Sequence, residues 1–567
     1  MARPLYPVIT LRLLSGTVIA TTVVLPVMLG LVHSIAAGFG HMPLLGVHGP
    51  DLDAWRVLLA QPGLWRAAAL SLWTGMAATV IALVLSLGAV AALQGRGGAL
   101  RRVMAPLLAA PHAAVAIGLA FVIAPSGWIA RGLAPLLGWS LPPDLATVGD
   151  PWGLALTLGL VIKEVPFLTV VLLAALTQIP LRQQMAAGRA LGYGRAAVWL
   201  WLLTPQLWPL IRLPVMVVLA FSVSVVDMAL ILGPSNPPTL AVMVARLFTD
   251  PDLRALLPAS AGALLQLGLA GLAIAMLWGG AHLCGALSRR ALRRGARGRR
   301  LDAVLTVPVV ALMGLGVLAL LSLAALGVWS VALSWRWPDA WPDRLTLRTW
   351  QDGGDWPGAA WRTLWIALAA TGLAMALAIG WLEGGDRAGR PGLRGWMRAA
   401  VALPLVLPQL SVLIGLSGLL LRTDITPTIA VVWGHLLFVL PSVMIALAGP
   451  WAALDPRLDR AAAALGAGPW RRLVRVKLSV LLAPLSLAAA LGFAVSVAQY
   501  LPTLFLGGGR IATLTTEAVA LSSGSDRRVA AVHASLQAGL PWLVYLAALL
   551  LPALVHRNRR DLRGDGA

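Results

Sequence analysis

The chain has one cysteine, Cys284, and two lysines, Lys163 and Lys477, in 567 residues. A single thiol excludes a disulfide framework and any cysteine-built metal site. Neither lysine lies in a G-x-x-x-x-G-K-[ST] loop, so nucleotide hydrolysis of the P-loop kind would have to come from another chain. Neither H-E-x-x-H nor G-x-S-x-G occurs, and the eight histidines are scattered. With no catalytic constellation, the reading is that the chain is not an enzyme and holds no metal. Charge is also scarce: Asp, Glu, Lys and Arg make up 12% of the chain, against about 25% in soluble domains.

What fills the chain is apolar. Hydrophobic residues make up 59% and the mean hydropathy is +0.84. Runs of about twenty apolar residues, each able to cross a hydrocarbon core of roughly 30 Å as a helix, recur along the whole length. The expectation is an all-α integral membrane protein with about twelve spans, among them residues 207–233 and 481–507. The first run follows Arg3 and Arg12, is long for a signal-peptide core and lacks a small-residue cleavage site, so it reads as a retained helix. Many of the 24 tryptophans stand near the expected span ends, where an amphipathic ring suits the headgroup layer.

A net charge of +22 is one footprint of nucleic-acid binding, but its distribution sets topology instead. With the N-terminus inside, the basic segments 288–300 and 385–398, Arg471, Arg472 and the C-terminal tail all fall on the cytoplasmic side. Those segments hold roughly 29 of the basic residues against about 7 acids, as the positive-inside rule requires. Both termini are then expected in the cytoplasm.

The chain also repeats itself. Arg66–Thr79 resembles Arg362–Ala374, with Trp73 opposite Trp365 at an offset of 292, whereas Gly192 opposite Gly466 gives 274. The difference of 18 matches a third outward loop that is long in the first half (residues 126–150) and short in the second (422–428), and loops tolerate insertions. The expected organisation is a first repeat over 1–287, a basic linker over 288–302 and a second repeat over 303–567. An even number of spans in each makes the repeats parallel, with any shared site near their interface.

The clearest repeated segment is a polar loop. "MAAGRALGYGRAAVWLWLLTP" spans residues 185–205, and "DRAAAALGAGPWRRLVRVKLS" spans 459–479. In each, small residues leave one helix face nearly bare (Ala186 and Ala187; Ala461 and Ala462), a glycine breaks the helix (Gly192; Gly466), and a basic flank follows (Arg195; Arg471, Arg472, Arg475 and Lys477). Pattern alone admits two readings: a short helix inserted into a groove on another protein, or an ordinary helical hairpin.

The spacing resembles the E-A-A-x3-G-x9-I-x-L-P signature of permease subunits of binding-protein-dependent ABC importers. Ala187, Gly192, Leu202 and Pro205 match in the first copy; Ala461, Ala462, Gly466, Val476 and Leu478 match in the second. The signature glutamate is replaced by Ala186 and Arg460. Residues 224–244 and 496–519 are similar to the regions that follow these loops in the fused, two-repeat permeases of the iron(III) and thiamine branch, the YnjC type. The resemblance implies the type I importer permease fold and a pore moving a small solute such as iron(III) or thiamine inward by alternating access. It also implies an ABC ATPase, two copies of it, on the repeated loops, a periplasmic solute-binding protein outside, and ATP and magnesium on the ATPase rather than on this chain. Ala186, Ala187, Arg189, Gly192, Arg195, Arg460, Ala461, Ala462, Gly466, Arg471 and Arg472 are the expected ATPase-coupling residues.

Ionisable groups inside spans are costly and mark function by default. Here they are Lys163, Glu164, Arg212 and Asp227. Ser224 and Asp227, three residues apart, are expected on one helix face, and Ser496 and Gln499 repeat that spacing. Two readings stand: these residues, with Lys163 and Glu164, line the solute pathway or its gate, or Lys163 or Arg212 neutralises Asp227 inside the bundle. His112 and His435 read as packing residues, and Pro166 and Pro441 as kinks in the fourth span of each half. The loops at 233–240 and 507–517 are candidates for contact with the binding protein. The alternative to an ATP-driven pore is an ion-coupled secondary transporter in which Asp227, Glu164 and Lys163 form the relay.

Overall fold

In the computed structural model the described residues are 6–352, 354–389, 392–393, 395–421, 423–524 and 526–557. Residues 558–567 of the basic tail, and 390, 391 and 394 of the basic segment 385–398, lie outside them. Most of what is described is helical, because in hydrocarbon a backbone must satisfy its polar groups within its own segment. Among the described residues ten helices are long and apolar enough to cross a membrane, or up to twelve if each of two bent pairs is one span.

In chain order the elements used below start with α1 (Leu11–Gly38), α2 (Leu64–Ala92), α3 (Gly97–Ala109), α4 (His112–Ile123), α5 (Trp128–Leu137) and α6 (Leu154–Leu176). Then come α7 (Leu181–Ala190), α8 (Arg195–Ser224), α9 (Asp227–Leu232), α10 (Leu240–Phe248), α11 (Leu256–Arg293) and α12 (Thr306–Val331). The later part holds α13 (Trp356–Arg387), α14 (Trp396–Val406), α15 (Gln409–Leu420), α16 (Pro427–Ala452), α17 (Pro456–Ala464) and α18 (Pro469–Val480). It ends with α19 (Leu482–Val497), α20 (Leu501–Gly507), α21 (Leu514–Ser522) and α22 (Arg527–Val555). The bent pairs are α14–α15, at 96°, and α18–α19, at 80°.

The chain forms two compact units. One comprises residues 34–354 and 518–535. In it α2 runs along α6, α8 and α12, and α12 also lies on α4. The other comprises 1–33, 355–517 and 536–567. In it α13 runs along α16, α19 and the start of α1. The helix that opens each half of the sequence thus belongs to the unit built mainly from the other half.

Each central helix has a seam of small residues, which lets backbones approach closely where lipid offers no hydrophobic drive for association. On α2 the buried seam is Ala67, Ser71, Gly75, Ala78, Ala82 and Ser86; on α13, 292 residues later, it is Ala359, Thr363, Ala367, Ala370, Ala374 and Ala378. A Cβ on Gly75 would sit 2.8 Å from the Val223 backbone nitrogen, so α8 can lie this close only against glycine.

The 18-residue excess of the first half is structured. It carries α5, whose buried Arg131 donates to the carbonyls of Ser126 (2.8 Å), Arg336 (2.6 Å) and Asp339 (2.7 Å). The Arg131 guanidinium also lies over the rings of Trp335 and Trp337. Helices α6 and α16 continue through Pro166 and Pro441. The apolar run 207–233 is not one helix. Helix α8 starts earlier, at Arg195, and ends at Ser224; Val225 is extended (φ −64°, ψ 135°) and a new helix starts at Asp227. Hydropathy could not show this break because its residues, Val225 and Val226, are themselves apolar.

Candidate functional site

The two repeated loops have the same build. Helix α7 ends in a Schellman motif: Gly192 is left-handed (φ +81°), its N–H donates to Arg189 O (2.9 Å), and Tyr193 N–H donates to Gly188 O (3.0 Å). Helix α17 ends the same way at Gly466 (φ +79°), with Gly466 N–H to Ala463 O and Ala467 N–H to Ala462 O, both 3.0 Å. A side chain is strained in this conformation, which is why glycine recurs there. Five-residue π-helical segments follow, Trp199–Leu203 and Leu473–Lys477, again 274 residues apart.

Ala186, Ala187, Arg189, Arg460, Ala461 and Arg471 are exposed, Ala462 and Arg195 half-buried, and Arg472 lies 3.3 Å from Asp459. Between the small residues and the glycine each loop presents a leucine to the outside. Leu191 is 66% exposed and Leu465 88%. The Leu-Gly pair is visible in the sequence, but exposure is not, and leucine in so apolar a chain gives no signal of its own.

The loops are anchored differently. In the first, Arg195 Nη1 donates to Ala92 O at the end of α2 (3.1 Å). In the second, Lys477 stands where the first has Leu203 and is buried, although the sequence places it in an exposed basic flank. Its Nζ is 2.7 Å from both Glu383 Oε2 and Asp386 Oδ2 on α13. Arg387 Nε pairs with Glu383 Oε1 (2.7 Å), and Trp451 Nε1 donates to Asp386 Oδ2 (2.9 Å). The Arg387 guanidinium lies 4.8 Å over the Trp470 ring, tying the cluster back to the loop.

A second set of polar residues surrounds the helix breaks. Lys163 Nζ donates to Leu107 O (3.0 Å) and Ala110 O (2.5 Å). It thereby serves orphan carbonyls where α3 ends. Glu164 Oε1 lies 3.8 Å from His112 Nε2, at the first residue of α4. Asp227, the first residue of α9, is buried within electrostatic reach of the same histidine. His112, Glu164 and Asp227 therefore form one group. Lys163 is spent on the α3 carbonyls and Arg212 is exposed, which leaves His112 as the basic group within electrostatic reach of Asp227.

The expectation that Ser224 and Asp227 share a helix face does not hold, because the helix breaks between them. Ser224 Oγ turns back to Ala220 O (2.7 Å). The Ser496 and Gln499 pair is interrupted likewise between α19 and α20. Ser496 Oγ bonds His435 Nδ1 (2.7 Å), and His435 Nε2 bonds Thr503 Oγ1 (2.9 Å), so His435 is a fully bonded packing residue. Gln499 is buried, and its N–H donates to Ser496 O (3.1 Å).

A buried glutamine that the sequence reading missed stands behind the closure of each break. Gln266 Nε2 donates to Val223 O (3.0 Å). In the other half Thr515 Oγ1 donates to Val497 O, and Gln537 Nε2 supports Thr515 Oγ1 at 2.7 Å. Just beyond, Leu240 N–H donates to Ser71 Oγ and Leu514 N–H to Thr363 Oγ1, both at 2.9 Å. Donors repeat at 274 and acceptors at 292, the two sequence offsets.

No family model matches the chain and no solved structure matches it. A curated relative does: the chain is 34% identical, over 520 residues, to the inner membrane ABC transporter permease protein YnjC of Escherichia coli (strain K12), covering 90% of this chain and 93% of the relative. The chain belongs to the YnjC family of ABC transporter permeases. This permease is a multi-pass inner-membrane pore subunit and works with an ATPase subunit; it is a transporter component and not an enzyme. Within the permease, the duplicated loops and the paired helix breaks are, like the small-residue seams, features that its halves build alike.

Proposed function

We propose that this permease is the pore of an ATP-driven importer in which the two repeated loops receive the ATPase and the helix breaks border the solute path. The duplicated Schellman-closed helix, with an exposed leucine at the same register in each copy, carries the proposal. A pore with two halves needs two equivalent grips, and two grips take two copies of the ATPase. Ala186, Ala187, Arg189, Gly192 and Arg195, with Arg460, Ala461, Ala462, Gly466, Arg471 and Arg472, form the grips. The contact rests on small residues, an apolar tip and basic flanks, since Ala186 and Arg460 occupy the position of the family's glutamate. ATP and magnesium are held by the partner.

Loops rich in arginine face the cytoplasm under the positive-inside rule, so both termini lie there and solute enters from a periplasmic binding protein. Helix breaks at membrane depth are tolerated where the backbone is buried in protein or lines a cavity. His112, Glu164 and Asp227 supply the ionisable groups beside one break; Lys163, Ser224, Ser496 and Gln499 maintain the local backbone and packing. The solute is a small one such as iron(III) or thiamine. The test is uptake of radiolabelled thiamine and of iron(III) into proteoliposomes holding the permease, its copurifying ATPase and the binding protein. Uptake that requires internal ATP and survives collapse of the proton gradient supports the proposal. Uptake without the ATPase that disappears with the gradient refutes it in favour of an ion-coupled carrier.

A further inference from the structure

The two repeated loops share a fold but not their surroundings, and the difference comes from the segment that joins the halves. Beyond Arg293 the chain turns and lies along the first loop. Gly194 N–H donates to Arg297 O (2.8 Å), and Arg299 Nε donates to Gly192 O (3.0 Å). Asp302 then places both carboxylate oxygens on the start of α8: Oδ2 accepts from Arg195 N–H (3.0 Å) and Oδ1 from Ala196 N–H (2.7 Å).

A helix start leaves N–H groups without intrahelical acceptors, and a side-chain oxygen from the preceding residue usually takes one. Here the preceding residue is Gly194, which has no side chain to offer. The acceptor arrives from 107 residues further along the chain. Helix α8 runs from this capped start for 30 residues to the break at Ser224. Its capped end adjoins the loop, and its far end adjoins the site of Asp227.

The second loop has no such brace among the described residues. Gly468 precedes the matching helix start, offers no side-chain cap and has open space around it. That loop instead hangs on the buried cluster of Lys477, Glu383 and Asp386.

Resting on the coupling role proposed above, we infer that the linker is a working part of the first grip and that Asp302 is its positioning residue. By capping α8 from outside, Asp302 fixes the angle between the short helix that meets the ATPase and the long helix that reaches the break. Force applied at α7 then moves α8 as a rigid lever instead of unwinding its first turn. The grips are therefore not interchangeable: the first is braced through the backbone by the linker, the second through side-chain charge.

The experiment uses the full-length permease with its copurifying ATPase in proteoliposomes of Escherichia coli polar lipids. Amide hydrogen exchange is read at residues 192–203, and ATP turnover is read as KM and kcat. Asp302→Ala is expected to speed exchange of the Arg195 and Ala196 amides on the order of tenfold. It is expected to lower kcat about fivefold or more with KM for ATP unchanged, because the nucleotide site is on another chain. Asp302→Asn keeps one accepting oxygen and turns the other into an NH2 donor, so it should protect one of the two amides and give a kcat between those of the Ala variant and the unaltered permease. Should Asp302→Ala fail to accumulate, Arg299→Ala removes a single linker bond and is read in the same way. Unchanged exchange, faster exchange with unchanged kcat, or an Asn variant as impaired as Ala each overturns the inference. The underlying coupling role fails separately, if the ATPase stays bound when both exposed leucines are made acidic.

Discussion

Replacing Lys477 with methionine tests how the second loop is fixed to the body of the permease. Methionine keeps the apolar stem and removes the ammonium, so packing changes little. Glu383 is 3% exposed; it loses one of two charged partners and retains Arg387 at 2.7 Å. Asp386 loses its cation and retains the Trp451 indole N–H. Breaking a buried ion pair costs about 3–5 kcal/mol when the survivor is stranded. Here each survivor keeps one partner, which puts the loss near the lower end, about 3 kcal/mol. Adding Asp386→Asn removes the carboxylate left without a cation, keeps an oxygen for the Trp451 N–H, and should recover at least about 1 kcal/mol of it, leaving the two substitutions far from additive. The assay is reversible unfolding of the permease in mixed micelles as a double-mutant cycle over Lys477→Met and Asp386→Asn. A single-variant loss below about 1 kcal/mol, or strict additivity, would show that the cluster is a surface pairing of little worth and that the loop is held by other contacts.

Two further outcomes follow from the helix breaks. Gln266→Leu leaves Val223 O without its donor in a buried place, an expected loss of about 1–3 kcal/mol; an unfolding midpoint equal to that of the unaltered permease contradicts the assigned closing role. Asp227→Asn at normal membrane levels should reduce uptake of the transported solute at least severalfold, since it removes an ionisable carboxyl from the group beside the first break; unchanged uptake removes Asp227 from the path.

Much of this permease is legible in its residues because membrane folding simplifies the code. Apolar runs announce spans. The 18-residue difference between the two offsets locates the inserted segment that carries α5, although not that it is a helix pinned by Arg131. The glycines of the loops are legible because a left-handed residue at the end of an α-helix has few chemical solutions, and two copies at one spacing reinforce each other. The breaks at Val225 and Ala498 are not legible. They lie inside largely apolar sequence, and what closes them, Gln266 at one and Thr515 backed by Gln537 at the other, comes from helices later in the chain. The same reason hides the linker's role. Asp302 reads as one acid at the edge of an arginine-rich stretch until folding brings it to the backbone of Arg195 and Ala196. Lys477 misleads in the opposite direction, since its neighbours in sequence are exposed bases while its partners, Glu383 and Asp386, come from the end of α13.

The most direct test of the twin-grip account is retention of the ATPase by permease variants altered at the two exposed leucines. Leu191→Asp and Leu465→Asp place a charge where an apolar tip meets its partner, and loss of such an anchor costs about 2 kcal/mol or more, roughly a thirtyfold weaker contact at each loop. The account predicts that each single variant copurifies with less ATPase than the unaltered permease, and that the double variant, still folded by size-exclusion profile, copurifies with none. A double variant that retains the full amount of ATPase contradicts it.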